Sequence, residues 1–338
     1  MSANPPPLVS IIIPIFNVEK YIYPCLSSVS AQTYNNIEII CVDDQGTDNS
    51  VAIVKSFIRN EKRIKIVQHQ SNLGLGSARN TGISQAKGDF IYFLDSDDVL
   101  MPKTIEDLVA KAEISRCDIV IGAVSSFPDV KSEVLEKASK AMNEWLKLKT
   151  VPDRISASTF YQALDKIPCI ACGKLYRTTF LRKNNLSFIN EKVRHEDTGF
   201  HIKCMSNDPT LSLTKEQGYQ YRIRSSSLMN FGHRDTLESQ KEAKLAIEDA
   251  LSYLKKFHKN PIYYQITMDV HWNYFTSNIL FIKYYWGRFF KILRIGRFSI
   301  FKQALRDGEM KFFILGITIF KQKNITTQFI SSPLKKKY

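Results

Sequence analysis

With 338 residues, 44% of them hydrophobic and 24% charged, the chain holds enough apolar material for one large domain with an appendage, or for two ordinary domains, which argues against a disordered class. Its net charge of +14 is uneven: from Lys283 onward 13 Lys and Arg meet two acids, a net of +11, so residues 1–282 carry only +3. Six cysteines do not make a disulfide framework at this size, "MSANPPPLVS" lacks the charged start and apolar core of a secretory signal, and "FFILGITIF" (312–320) is far short of a membrane span, so a cytoplasmic chain without a transmembrane segment is expected.

In chain order, "LVSIIIPI" (8–15), "IEIICV" (37–42), "RIKIVQH" (63–69), "DFIYFL" (89–94) and "DIVIGAV" (118–124) read as strands. Amphipathic stretches between them, 19–31, 49–59, 76–86 and 102–114, read as helices, the last with Pro102 in the favoured first turn. Alternation of this kind predicts an α/β fold, a doubly wound parallel sheet whose ligands sit beyond the carboxyl ends of the strands. Asn17, the pair Asp43 and Asp44, and Asp95 to Asp98 all follow strands and are expected to converge on one crevice.

Past Phe127 the pattern weakens. Helices are expected near 138–149 and 157–164, a short strand and helix in "ACGKLYRTTFLRKNNL", and a helix opening at "RHEDTGFHIKCMSN" with acids in its first turn, where the helix dipole favours them. Strongly helical sequence follows over 235–257 and 261–285. The lone Cys169-x-x-Cys172 reads as small buried residues rather than a zinc site, and "GLGSARNTG" lacks the spacing of a dinucleotide fingerprint.

"FLDSDD" raises the main chemical question, because the nearby sequence has no cluster of Lys or Arg to offset three carboxylates in four positions. Read as the end of a strand, Asp95 and Asp97 share a face by the two-residue period. Paired hard oxygens with open positions suit Mn2+ or Mg2+ held jointly with substrate phosphates, and with Asp43 and Asp44 they describe a nucleotide-diphosphate site. Solvated loop acids, or a helix cap at Asp98, are the competing reading.

"VSIIIPIFNVEKYIYPCLSSVSAQTYNNIEIICVDDQGTDNS" followed by "NLGLGSARNTGISQAKGDFIYFLDSDD" resembles the N-terminal half of family 2 glycosyltransferases with the GT-A fold, over about 90 residues. The resemblance implies an inverting transferase using a UDP-sugar and a divalent metal. By position, Pro14, Asn17, Asp43 and Asp44 would hold the base and ribose, Asp95 and Ser96 would lie near the ribose and sugar, Asp97 with Asp95 would hold the metal, and Arg79 would serve the donor side. One departure is "DDQGTDNS", where Gln45 and Gly46 replace the family's Gly-Ser; the turn is expected to shift, with Gly46 supplying a positive φ.

In the second half, "KVRHEDTGFHIKC" resembles the family's Glu-Asp acceptor motif, implying Asp197 as general base beside Glu196; first-turn helix acids are the alternative. "GYQYRIRSSSLMN" resembles a segment that closes over the donor, so Arg222 could pair with phosphate, or sit outward on a strand. Lys174 in "ACGKLYR" touches the acceptor or serves the fold.

The basic stretch 283–306 is expected as a helix with an aromatic face and cationic margins, suited to an anionic membrane surface, against the alternative of a helix packed on the catalytic domain. Nucleic acid is the less favoured partner, since no binding motif accompanies the charge. The expectation is therefore a GT-A catalytic domain over 1–230 and a mainly helical, basic region over 231–338, peripheral on the cytoplasmic face of the inner membrane. It would act on a glycan or lipid-linked glycolipid acceptor of a surface polysaccharide or lipooligosaccharide. A sugar-phosphate nucleotidyltransferase would be expected to show a Gly-rich basic loop where this chain has "PIFNVEKY", and a non-catalytic nucleotide or nucleic-acid binding module is the third alternative.

Overall fold

The computed structural model describes residues 5–147, 153–156, 158–224, 237–257, 259–264, 266–267, 293–295, 298–306, 309–314 and 317–322. The chain forms two compact units, Met1–Thr276 and Ser277–Tyr338.

The first unit begins with β1 (Val9–Ile15), an unbroken apolar run with all seven residues buried, as expected of a strand covered on both faces. Helix α1 (Ile22–Ser30), β2 (Ile37–Asp43), α2 (Ser50–Ile58), β3 (Ile64–Gln68), α3 (Leu75–Gln85) and β4 (Phe90–Phe93) follow. Strands β3, β2, β1 and β4 lie side by side and parallel, in that order. Pro14 sits in β1 opposite Val42, beyond the last residue paired with β4, so its missing N–H breaks no bond on that side. Helix α3 lies close on β1 because Gly82 has no side chain: a Cβ there would come 2.2 Å from a methyl of Ile12.

Next come β5 (Val99–Leu100), α4 (Thr104–Ser115), β6 (Ile119–Pro128), α5 (Glu133–Leu146), α6 (Phe160–Lys166), β7 (Lys174–Arg177), α7 (Thr178–Lys183), α8 (Glu196–Met205), β8 (Leu211–Ile223) and α9 (Leu237–Lys256). The eight-stranded sheet runs β3-β2-β1-β4-β7-β6-β8-β5, and here the structure departs from an all-parallel sheet. Strand β7 enters antiparallel between β4 and β6, and β5 is antiparallel to β8. A buried apolar run such as β6 reads the same whichever way its neighbour points, so strand direction was not legible in it. Helix α4 starts at Thr104, with Pro102 in the turn before it rather than in its first turn. Helix α9, within the segment 231–338, belongs to the first unit and is tied to α8 by Lys203 Nζ to Asp249 Oδ2 at 2.6 Å.

The second unit has an antiparallel sheet, β9 (Leu293–Ile295), β10 (Phe298–Arg306), β11 (Glu309–Ile314) and β12 (Ile317–Gln322), paired in chain order. These strands overturn the helix expected over 283–306; residues 283–292 and 323–338 lie outside the described residues. Successive strands are separated by two residues, Gly296-Arg297, Asp307-Gly308 and Leu315-Gly316, and such spacing between β-branched and aromatic runs is the sequence signal of hairpins. A helical reading of the cations alone passed over those glycines.

Candidate active site

The polar residues expected in the crevice lie at or just beyond the ends of β1, β2 and β4, neighbouring strands of one sheet, although the geometry of Asp95 to Asp98 differs from the strand-face picture. Residues 94–98 form a turn between β4 and β5, closed by the Asp98 N–H donating to the Asp95 carbonyl at 3.0 Å. The two-residue strand period therefore does not orient Asp95 and Asp97. Asp98 is wholly buried, with Oδ2 accepting from the Tyr219 hydroxyl at 2.5 Å and Oδ1 from the Arg222 backbone N–H at 2.7 Å. It pins the turn to β8. Burial, with Asp97 and Asp95 adding to it, pushes its carboxyl well above the ordinary range, consistent with a positioning acid rather than a metal ligand. Ser96 is also buried in this turn.

Asp43 and Asp44 are both buried at the end of β2. Asp43 accepts from the Gln45 backbone N–H at 3.0 Å and from Gln68 Nε2 at 2.9 Å. Asp44 accepts from the N–H groups of Leu73 and Gly74, at 2.7 and 2.8 Å, and faces His69 Nδ1 at 2.8 Å, so it ties β2 to the entry of α3. In the turn after this pair the positive φ belongs to Gln45 (59°), not to Gly46 as expected. Gly46 serves close approach instead: a Cβ would fall 2.9 Å from the backbone nitrogen of Asn17, whose Oδ1 accepts from the Thr47 N–H at 2.7 Å.

At the centre lies Arg79, 1% exposed, on α3. Its Nη1 donates to Glu196 Oε1 at 2.6 Å and to Asp197 Oδ1 at 2.7 Å, and its Nη2 to Asp95 Oδ1 at 2.8 Å. Beneath it the Phe188 ring lies 5.2 Å from the guanidinium carbon, itself stacked on Phe200 at 4.0 Å and met edge-on by Phe93. Three chain segments, around residues 79, 95 and 196, the last more than 100 residues from the other two, thus meet on one cation. Burial works against that charge, but Asp197, Asp95 and Glu196 hold its pKa well above the ordinary value.

The acids of α8 are unequal. Glu196 is 4% exposed in its side chain, and burial together with Asp197 pushes its pKa up to about 8, so near neutral pH it holds its proton. Asp197 is 20% exposed, and its Oδ2 accepts from the Ala171 N–H at 3.0 Å. Burial raises its pKa too, with Arg79 opposing. Each carboxylate oxygen has two acceptor sites, so these bonds leave Asp197 room for a further proton. Lys174, lowered to about 8 by burial, donates to the carbonyls of Pro168 and Ile170; it supports the loop that carries Ala171 rather than facing solvent.

Arg222 is held by the fold: Nε donates to the Asp97 carbonyl at 2.7 Å, Nη1 meets Asp129 at 3.2 Å, and the guanidinium lies over the rings of Phe127 and Tyr21. The residue that faces the Asp97 carboxylate is Arg224, with Nε 2.9 Å from Oδ2. Sequence reading missed it, although "RIR" places it two positions from Arg222 at the end of β8, where alternate residues share a side. Ser227, in the same "GYQYRIRSSSLMN" stretch that resembles the donor-closing segment, lies outside the described residues.

A divalent metal suits this donor set in one way. Among the described residues no group of three or more His, Cys, Asp or Glu can hold an ion, so in this turn Asp95 and Asp97 would serve as a pair of hard carboxylates and not as part of a larger cluster. That is the mode in which Mn2+ or Mg2+ completes its shell with substrate phosphates. Asp97, its pKa raised by burial with Arg224 opposing, already faces a cation.

Comparison with known proteins decides the family: the sequence profile of glycosyl transferase family 2 matches residues 10–182. The chain belongs to glycosyl transferase family 2. This family 2 chain is 31% identical over 235 residues to the putative glycosyltransferase EpsH of Bacillus subtilis (strain 168), covering 69% of the chain and 66% of EpsH. It is 28% identical over 227 residues to the poly(ribitol-phosphate) beta-N-acetylglucosaminyltransferase TarS of Staphylococcus aureus (strain MW2), covering 64% of the chain but 35% of TarS. The family fold is matched by the crystal structure of S. aureus TarS 1–349 in complex with UDP-GlcNAc, at a TM-score of 0.60 and 24% identity over 81% of this chain and 75% of that one. The mannosyltransferase PcManGT from Pyrobaculum calidifontis, in complex with GDP-Man and Mn2+, aligns at a TM-score of 0.53 and 15% identity, over 80% and 71% of the two chains. Among the described residues no helix is long and apolar enough to cross a membrane.

Proposed function

We propose that the chain is an inverting, metal-dependent glycosyltransferase that moves a sugar from a UDP-sugar to a hydroxyl of a glycan or lipid-linked glycan, with Asp197 as general base. The observation that carries this reading is the single buried guanidinium of Arg79 bonded at once to Asp95 and Asp197. It holds a donor-side acid and a reachable second acid at a short, defined separation. Glu196, buried and protonated near neutral pH, is the positioning member of its pair. UDP is chosen as the nucleotide because TarS carries it, and Mn2+ because PcManGT binds it with GDP-Man.

On this reading Pro14, Asn17, Asp43, Asp44, Asp95, Ser96 and Arg222 build the donor side and Asp97 with Asp95 the metal side. As the acceptor oxygen bonds to the anomeric carbon, its proton passes to Asp197. The bond from that carbon to the diphosphate oxygen breaks on the opposite face, and the electron pair leaves with the diphosphate. A bound metal supplies charge stabilisation for that leaving group.

Calorimetric titration of UDP tests the donor site. Binding is expected with Mn2+, at least tenfold weaker with chelator or in Asp97→Asn. Absence of UDP binding in every condition would redirect the reading to another nucleotide or to a binding module.

The same reading assigns the net +11 of residues 283–338 to an anionic membrane surface that carries the acceptor. In flotation with liposomes containing phosphatidylglycerol, the full chain is expected to float and a chain ending at residue 282 to remain below. Equal flotation of the two would remove the membrane assignment.

A further inference from the structure

We infer that Arg224 is a resident counter-cation of Asp97 in the donor-free site, and that a divalent metal binds by displacing it. The inference rests on the metal side of the donor site proposed above and concerns a residue to which that reading gives no role.

The contrast between the two arginines at the end of β8 carries it. Arg222 is anchored by two directed contacts of its guanidinium and two aromatic rings, so it cannot leave without orphaning several groups. Arg224 meets Asp97 Oδ2 at 2.9 Å, but its Nε–H is not aimed at the oxygen, and this buried nitrogen has no hydrogen-bond partner among the described residues. Its other described contact is the Tyr21 ring, 5.1 Å from the guanidinium carbon. Charge holds Arg224 beside Asp97, while geometry does not lock it there.

Charge also explains why a cation stands there. Asp95, Asp97 and the buried Asp98 stand in one turn, and Arg79 serves Asp95 but not Asp97. Without Arg224, the Asp97 side chain would share its turn with Asp95 and Asp98 and have only Arg222 nearby, whose guanidinium bonds the Asp97 carbonyl and Asp129. A metal ion on Asp97 Oδ2 would meet the guanidinium head-on, so the two cations exclude each other. The incoming diphosphate offers the displaced guanidinium a new anion, which couples nucleotide and metal binding through Arg224.

Mn2+ binding followed by electron paramagnetic resonance, with and without UDP, tests this in wild type, Arg224→Gln, Arg224→Lys and Asp97→Asn, each checked for folding by thermal melting. Without nucleotide, Arg224→Gln is expected to bind Mn2+ on the order of tenfold more tightly than wild type, and Arg224→Lys, which keeps the charge, close to wild type. The strengthening of Mn2+ binding by UDP is expected to be smaller in Arg224→Gln. Wild-type affinity in Arg224→Gln, with Mn2+ still bound in an Asp97-dependent way in the presence of UDP, would overturn the exchange alone. Loss of all Asp97-dependent Mn2+ binding would overturn the metal site and the exchange with it.

Discussion

Asp197→Asn is expected to lower kcat for sugar transfer about a thousandfold while UDP affinity stays within about twofold of wild type. The asymmetry follows from where Asp197 lies. Its side chain is one-fifth exposed on the first turn of α8, and its contacts run to Arg79 and the Ala171 N–H rather than to the β1 and β2 ends proposed to hold the nucleotide. Asparagine keeps the shape, but its single carbonyl oxygen can accept from Arg79 Nη1 or from the Ala171 N–H and not from both, and it cannot take a proton from an attacking hydroxyl. A general base contributes only at the transition state, so the loss belongs in kcat and not in donor binding. Steady-state kinetics with calorimetry on the same preparation separates the two. Equal losses of kcat and UDP affinity would make Asp197 a structural acid and leave the base unassigned.

Arg79→Met is expected to destabilise the protein by about 3–5 kcal/mol, because it strands carboxylates around an uncompensated buried site. Asp95, Glu196 and Asp197 all bond this guanidinium, and Arg79 lowers the pKa of both α8 acids against the effect of burial. The pH dependence has a definite sign. Glu196, raised to about 8 in the fold, favours folding in its protonated form; that contribution is complete below the ordinary carboxyl range and is lost as pH rises toward about 8. Removing Arg79 raises these carboxyls further, so the damage is expected to exceed that at pH 5 by about 1 kcal/mol or more at pH 8. Urea unfolding at the two pH values measures it, and adding Glu196→Gln to Arg79→Met is expected to recover part of the loss at pH 8. A destabilisation that is the same at both values would mean that Arg79 acts through packing on Phe188 rather than through charge.

The sequence by itself determined the α/β class, the strands and helices of the first 124 residues apart from the short β5, and which acids follow the strand ends. Those features are local: apolar runs make covered strands, and the polar residue after each strand falls at the sheet's carboxyl edge. It also held signals that charge composition obscured, such as the three two-residue glycine gaps between β9 and β12, and Arg224 two positions after Arg222. Only the tertiary structure decided that β7 runs antiparallel between β4 and β6, since strand direction depends on a partner far along the chain. The answer to the crowded acids of "FLDSDD" was equally out of reach of local reading. Their counter-charges come from Arg79 on α3 and from Arg222 and Arg224 at the end of β8, residues 16 to more than 120 positions away that folding alone brings within 3 Å. Coulombic compensation depends on distance in space, and only the packing of α3, β4, α8 and β8 sets that distance.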